Sequence, residues 1–493
     1  MCFGMSGVAG AEETTAATAE ETPNPQQQRL RDELDDAYEL MAADKHAEAA
    51  RRLSKLIDAP LFASLPPREQ AVALTTAGDL VLADDVDRAL DLYRRAVRAD
   101  DSQPGSWYRL TTVELDTGHP EAAAAAFTEI VERWPQLLAK TPDRLLDALV
   151  WRPKWSSPER IALLQALFDA NWSSKVGSDD DAWFALALAR AEQKDLVRAA
   201  SAIRRIKSAK LLIGLLSDKR FDSVVQGGTW TFDPGNAARR EVEALRQQMQ
   251  LSPDDMEVRV HLTRALLLTG EHEALLKLVD DTQAEIASAP ADAPALSGAD
   301  EAIWLMNSRS TALLRMGRTD EAVAELTRAA SMPYRGQPNV NQALNLGGLY
   351  CSLQRPDDAL RAIATVKDNM SPFGQTVRNF VTHCAAVQTG NKRVATKALA
   401  YLRTHRSENP EAFLRALLRD GRIDEAASQV RDMLASPESR TSVLMWVQQG
   451  LSPPQLPGDA VTASGRATLL ARDDVRTAID QVGRVEQWDL YLE

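Results

Sequence analysis

The sequence predicts an all-α protein built from repeated helix–turn–helix units, and three observations lead to that prediction. Apolar residues recur at helical spacing through the stretch from Pro104 to Pro135, with a glycine between two apolar seams. The same pattern returns along most of the chain. The composition is rich in Ala, Leu, Arg, Glu and Asp with only 5% aromatic residues, which favours helix by intrinsic propensity.

The stretch from Pro104 to Pro135 displays one unit in detail. An apolar seam begins at Trp107 in the first helix, and Gly118 supplies the flexible backbone of a tight turn. In the second helix Ala123 lets the two helices approach closely, and Phe127 follows one turn later on the same face. Two short amphipathic helices cannot bury such faces alone, so the units must stack on one another.

Copies of this unit recur upstream and downstream. Ala89 and Tyr93 lie 34 residues before Ala123 and Phe127 and take the same roles. Within each run of copies, successive alanines at the helix crossing lie about 31 to 40 residues apart, which predicts loops and helices of uneven length. The alanines of the other copies are Ala49, Ala162, Ala199, Ala322, Ala359, Ala395 and Ala426.

The unit resembles the tetratricopeptide repeat (TPR), a helix–turn–helix of about 34 residues. The resemblance extends over residues 29–450 and is most specific in 74–135 and 307–366. It implies a right-handed α-solenoid whose first helices line a concave groove, and a scaffold that binds a protein or peptide there. TPR proteins that bind chaperone tails use a Lys/Asn clamp across three repeats. This chain lacks lysines at those places, so that activity is not implied.

Composition and proline or glycine punctuation divide the chain into five predicted segments. We expect a disordered N-terminal segment at 1–28, a first TPR-like array at 29–207 and an irregular helical junction at 208–300. A second TPR-like array follows at 301–450, and residues 451–493 are expected to cap its last apolar face.

The N-terminal segment permits two interpretations. The small residues Val8–Ala11 resemble the end of an export signal, but the basic head and apolar core of a complete signal are missing. The segment is either the remnant of a signal whose true start lies upstream of Met1, or an ordinary frayed N-terminus. The protein is accordingly expected to be soluble, either in the cytoplasm or after export.

Charge and hydropathy argue against two classes of partner. The chain has 57 basic and 70 acidic residues, a formal net charge of −13. Because an acidic surface repels phosphate backbones, we predict no nucleic-acid partner. No run approaches the ~20 apolar residues of a membrane-spanning helix, so we predict no transmembrane segment.

The sequence contains no motif that indicates catalysis or cofactor binding. It lacks the phosphate-binding loop, the dinucleotide-binding glycine motif, the nucleophile elbow and H-E-x-x-H. No two of its six histidines are spaced i, i+4, and no C-x-x-C occurs. We therefore expect no catalytic residue, no cofactor, no metal and no enzymatic activity.

Cys351 and Cys384 fall in the first helices of consecutive predicted repeats, so both can approach the groove. They are either a redox-sensitive pair or small residues that serve helix packing, and on the sequence alone we favour packing.

Aligning the repeats by the alanine of the second helix gives candidate groove-facing side chains. An Asn amide binds an extended peptide backbone with both of its groups, and an Arg binds a carboxylate in a forked geometry. The candidate partner-binding residues are Asn307, Arg315, Asn341, Asn345, Phe380, Tyr108 and Phe184.

The expected function is that of a non-catalytic adaptor or assembly scaffold for a protein or peptide. Two alternatives stay open: a structural module that self-associates, and an enzyme whose site lies in residues 208–300.

Overall fold

The structure, a computed structural model, describes residues 24–173, 179–226, 232–288, 298–366 and 370–492. Within these ranges the secondary structure is helical, with isolated β-bridges but no β-strand, which confirms the predicted all-α helical-repeat solenoid. The signal-like residues 8–11 lie outside the described residues. The end of segment 1–28 is helical, because Asn24 caps a helix that starts at Pro25 by accepting a hydrogen bond from the Gln26 amide.

The chain forms two compact units, and the first ends at Ala170. Consecutive helices in it pair as antiparallel neighbours around their own core, to which Leu53, Leu92 and Tyr93 each contribute a fully buried side chain. Its helices are α1 (Pro25–Ala42), α2 (His46–Ile57), α3 (Pro67–Val81), α4 (Val86–Ala99), α5 (Pro104–Asp116), α6 (Pro120–Arg133), α7 (Asp143–Trp151) and α8 (Pro158–Asp169), with short 3₁₀ helices at Pro60–Ser64 and Pro135–Lys140.

Helices α5 and α6 confirm the unit predicted from the sequence. Pro104 and Pro120 open the two helices, where the missing proline amide costs no hydrogen bond. Gly118 between them has φ +82°, a left-handed conformation that glycine adopts without strain. Ala123 and Phe127 are fully buried, so the second helix presents the predicted face to the core.

The second unit runs from Asn171 to the end of the chain. Its helices are α9 (Asp179–Glu192), α10 (Leu196–Ile203), α11 (Ala209–Ser217), α12 (Asp222–Gln226), α13 (Pro234–Leu251), α14 (Met256–Thr269), α15 (His272–Ser288), α16 (Ala302–Arg315), α17 (Thr319–Ser331), α18 (Val340–Ser352), α19 (Pro356–Ala364), α20 (Pro372–Gln388), α21 (Lys392–Thr404), α22 (Pro410–Arg419), α23 (Ile423–Ala435), α24 (Arg440–Val447), α25 (Ala460–Leu470) and α26 (Asp473–Val482), with 3₁₀ turns at Lys219–Phe221, Ala299–Glu301 and Pro457–Asp459.

Five consecutive helix pairs make up the central part of this unit. The first helices of the pairs are α14, α16, α18, α20 and α22, and each packs against the helix that follows it. Glycines with φ between +68° and +78° form four of the turns, at Gly270, Gly317, Gly390 and Gly421. The region predicted as an irregular junction thus contributes one regular pair, α14 with α15.

The end of the second unit returns to its beginning. Helix α25 packs against α22, and α26 packs against α23. Helix α24 contacts α11, which lies more than 200 residues earlier in the chain. After α26 an extended segment, residues 483–492, runs back to the ends of α11 and α14.

Among the helices that the structure describes, none is both long enough and apolar enough to cross a bilayer.

Candidate functional site

A pocket of about 400 Å³ opens between α16, α18 and the start of α20, three first helices. Trp304, Leu344 and Val377, one from each helix, supply apolar surface, and the exposed Asn341 and Asn345 place amides beside it. An apolar hollow with a few polar groups at its edge suits one side chain of a ligand. The other lining residues are Val340, Met370, Ser371, Phe373 and Gly374.

The start of α18 fixes where the two asparagines lie. Asn339 is 3% exposed; it caps the helix by accepting from the Gln342 amide (3.3 Å) and donates its own amide to the Ala329 carbonyl (3.1 Å). Asn341 and Asn345 then follow one turn apart, on the same helix face. The side chain that sets the register is therefore buried, and the two beside the pocket are exposed to solvent.

Asn307 joins this group from the neighbouring helix. The Asn345 amide nitrogen donates to Asn307 Oδ1 at 3.0 Å, which links α18 to α16. In the described part of the chain, Asn345 Oδ1 accepts no hydrogen bond and the Asn307 amide nitrogen donates none. Each asparagine thus keeps one amide group for solvent or a ligand, and the pair offers both an acceptor and a donor.

Arg315 lies on the same helix as Asn307 but is already engaged. It donates from Nη1 to the Leu267 carbonyl at 2.6 Å, and its guanidinium carbon lies 4.3 Å from the centroid of the Tyr491 ring. The His272 ring lies 5.2 Å from the same ring, and burial, together with the Arg315 charge, lowers the pKa of His272. Arg315 therefore takes part in an aromatic contact of the chain itself.

The three predicted aromatic residues lie away from the pocket. Phe380 is 8% exposed and packs in the core beneath Arg415, whose guanidinium carbon is 5.0 Å from the ring centroid. Phe184 on α9 is also 8% exposed. Tyr108 is half-buried on α5 in the first unit. The structure thus brings Asn307, Asn341 and Asn345 together and leaves the aromatic candidates elsewhere.

Sequence reasoning missed two aromatic residues that line the pocket. Trp304 precedes Asn307 by three residues and so shares its helix face, a spacing that could have identified it. Phe373, at the start of α20, is 56% exposed, unusual for so large an apolar side chain. No periodicity marks Phe373, because it lies in the first turn of its helix.

Cys351 and Cys384 form a disulfide between α18 and α20. The structure thus corrects the sequence interpretation that favoured two separate packing residues, because facing positions of adjacent first helices bring the two sulfurs together. The cysteines follow Leu344 and Val377 by seven residues, two turns along the same helix faces. The disulfide is buried and joins two of the helices that form the pocket.

No group of three or more His, Cys, Asp or Glu side chains that could hold a metal occurs within the described ranges.

A family model described as "Tetratricopeptide repeat" matches residues 161–210, a stretch that contains α9 and α10. No curated protein matches the sequence at a significant level.

Several solved structures resemble this chain in architecture. Yeast Tom70 shares 10% identity, with 92% of this chain and 100% of that chain covered and a TM-score of 0.29. The APC/C hetero-tetramer Cut9–Hcn1 shares 13% identity, with 92% and 90% covered and a TM-score of 0.24. The P58(IPK) TPR domain shares 14% identity, with 83% and 100% covered and a TM-score of 0.19. Similarity at this level does not inform function.

Proposed function

We propose that the chain is a tetratricopeptide-repeat protein, supported by the family model that matches residues 161–210, and that it acts as a non-catalytic adaptor or assembly scaffold. The partner segment is an extended peptide that binds along the first helices of the second unit. The observation that carries the proposal is the pocket between α16, α18 and α20, together with Asn307, Asn341 and Asn345 beside it.

The geometry of the asparagines suits an extended backbone. Asn341 and Asn345 are separated by one helical turn, about 6 Å along the axis. An extended peptide advances roughly 3.3–3.6 Å per residue, so one turn of α18 spans about two peptide residues. Alternate residues of such a peptide point the same way, so one side chain enters the pocket while neighbouring backbone groups meet the amides.

The charge of the first helices indicates the chemistry of the partner. The chain as a whole is acidic, with a net charge of −13. The helices α14, α16, α18, α20 and α22 nevertheless contain seven arginines and only two glutamates. Five of the arginines are half-buried or exposed, namely Arg264, Arg309, Arg315, Arg378 and Arg415, and of these Arg309 already forms an ion pair with Asp280 on α15 (2.6 Å). An acidic peptide is therefore favoured over a basic one.

The test begins with selection of binders from a displayed library of random linear peptides on the wild-type chain. Peptides that bind are then measured by fluorescence anisotropy on an Asn341→Ala/Asn345→Ala variant. We expect Kd to rise at least about tenfold, the change that loss of about 1.4 kcal/mol of hydrogen bonding produces. Binding should also weaken as salt is raised, because charged contacts contribute.

A Gln247→Ala/Gln250→Ala variant provides the matched control. These two amides are exposed on α13 and lie outside the pocket. The control should bind the selected peptides as the wild type does. Equal affinity of all three proteins would refute a groove at α16, α18 and α20, and so would failure to enrich any acidic peptide.

A further inference from the structure

The tail segment (residues 483–492) crosses the second unit in an extended conformation. Its backbone makes hydrogen bonds with three separate elements: the end of α11, the loop after α24 and the end of α14. From donor to acceptor, these bonds are Arg484 N to Ser217 O (2.9 Å), Gln449 N to Glu486 O (3.0 Å), Trp488 N to Gln449 O (2.8 Å), Leu451 N to Leu490 O (2.9 Å) and Tyr491 N to Leu268 O (2.9 Å). The segment is thus held by main-chain contacts, as an added β-strand peptide is.

The first half of the tail segment is anchored by charge and by a buried amide. Arg484 donates to Asp222 and to the Leu216 carbonyl, each at 2.6 Å. Gln448 is 4% exposed; its side-chain oxygen accepts from the Glu486 amide (3.0 Å) and from Trp488 Nε1 (3.1 Å). This half therefore stays attached when the end beyond it moves.

The second half ends in a built aromatic subsite. The Tyr491 ring lies against the Arg315 guanidinium and beside His272. A Cβ atom added at Gly270 would lie 2.9 Å from Tyr491 Cε2, so glycine at this position makes room for the ring. The subsite therefore selects an aromatic side chain by shape and by its cation–π contact.

Glycines elsewhere along the path also make room for the tail segment. A Cβ at Gly450 would lie 2.6 Å from the Leu490 carbonyl oxygen, and one at Gly483 would lie 2.6 Å from the Ser217 carbonyl oxygen. Neither residue has a positive φ, so close backbone approach rather than an unusual conformation accounts for them. Gly450 and Gly483 therefore allow the tail segment to follow this course.

The aromatic subsite lies on the line of the proposed groove. Arg315 follows Asn307 by eight residues on α16, about 12 Å along the helix axis. A peptide of four residues in extended conformation spans that distance. A partner segment that begins at the Asn307 pocket and continues along α16 therefore arrives where Tyr491 is bound.

We propose that residues 489–492 are a tethered ligand of the groove. An acidic partner peptide with an aromatic side chain displaces them and places its own ring against Arg315. The displaced residues have this chemistry themselves, because Asp489 precedes Tyr491 by two residues and the Tyr491 ring lies against Arg315. This inference rests on the proposed function for the partner's identity, but the occupancy of the subsite is tested independently.

The first experiment uses a fluorescent synthetic peptide with the sequence of residues 484–492. It is titrated against the wild-type chain and against a Leu490→Ala/Tyr491→Ala variant, whose own tail segment competes poorly. Because a tethered copy acts at an effective concentration near millimolar, we expect at least about tenfold tighter binding to the variant. Arg315→Ala in the variant, or alanine at the tyrosine of the peptide, should each remove that gain.

Equal weak binding to both chains, with unchanged circular dichroism, would overturn the inference. Peptides selected on the Asn341–Asn345 pocket are measured on the same samples. Their binding tests the proposed function independently of the result for the tail segment.

A second experiment needs no variant and covers the case in which the double substitution impairs folding. In the wild-type chain, hydrogen–deuterium exchange of the Tyr491 amide, which donates to the Leu268 carbonyl, is compared with that of the Leu417 amide in the buried face of α22. A displaceable end opens while the core stays closed, so the Tyr491 amide should exchange at least about tenfold faster. Equal protection of the tail and core amides would show that the end of the tail segment does not open separately from the core, and this would refute displacement.

Discussion

Asp180 is a buried carboxylate at the start of α9 that organises the start of α11. One of its oxygens accepts from the Lys207 amide (2.8 Å) and the Ser208 amide (2.5 Å), and the residue is 8% exposed. Burial raises the pKa of Asp180 to about 6, and the two hydrogen bonds only partly oppose this. Burial and the nearby Asp180 charge also raise the pKa of Glu241, so two neighbouring carboxyl groups have raised pKa values.

This pKa predicts a pH dependence of stability. The folded-state pKa of about 6 lies above the ordinary aspartate pKa of 3.8, which we take for the unfolded chain, so the native state takes up the proton first as pH falls. The contribution of Asp180 protonation to the free energy of unfolding is therefore largest at low pH and is lost as pH rises through 6. In urea unfolding, the free-energy difference between wild type and Asp180→Asn should shift by about 1 kcal/mol in favour of wild type from pH 7 to pH 5.

Asp195 gives the matched control for that experiment. It caps α10 by accepting from the Arg198 amide at 3.1 Å, and this hydrogen bond lowers its pKa. Its stabilisation is present above the unfolded value and is lost only as pH falls below about 4. Between pH 7 and pH 5 the effect of Asp195→Asn should stay constant, and a parallel change in both variants would contradict the assignment to Asp180.

At the scale of the elements, α18 carries two adjacent glycines in opposite environments. A Cβ added at Gly347 would lie 2.7 Å from Ile363 Cγ2 of α19 and 3.2 Å from Val381 Cγ1 of α20. A Cβ added at Gly348 would meet no atom within 4 Å. Gly347 therefore permits the close packing of three helices, whereas Gly348 only weakens the helix it lies in.

The two positions make a matched pair of substitutions. Gly347→Ala should destabilise the second unit by about 1–3 kcal/mol, because the methyl group overpacks the junction with α19 and α20. Gly348→Ala should stabilise by about 0.5–1 kcal/mol, because alanine restricts the unfolded chain and fits the helix. Urea midpoints of the two variants decide the matter, and shifts of the same sign would contradict this account of the packing.

Helix periodicity predicts which residues share a face, and the structure places Asn307, Asn341 and Asn345 near one another, while their role in binding stays a prediction. It does not predict how far each helix is rotated about its axis, because neighbouring helices set that angle. Phe380 illustrates the difference: it shares a helix with the pocket residue Val377, yet its ring packs in the core beneath Arg415. The local sequence pattern therefore predicts the positions of the polar side chains beside the pocket better than those of the aromatic side chains.

At the scale of the whole molecule, the second unit departs from a simple stack of repeats. Repeat arrays normally make contacts only between neighbours, which is what a sequence period can reveal. Here Arg484 hydrogen-bonds to Leu216 and Asp222, 268 and 262 residues away. No period of about 34 residues encodes such a contact, so the sequence predicted the helix pairs and a terminal cap but not the return of the tail segment.

Because Arg484 connects the end of the second unit to α11 and α12, we expect it to couple the unfolding of these two parts. Arg484→Ala removes two charge-assisted hydrogen bonds, each of which typically contributes about 1.5–3 kcal/mol. We expect a lower urea midpoint and a shallower transition by circular dichroism, because α11 and α12 then unfold separately from α24. Arg476→Ala, which removes only an exposed pair with Asp473 on α26, should change neither quantity. If Arg484→Ala also left midpoint and slope unchanged, the tail segment would rest on the unit without holding it closed.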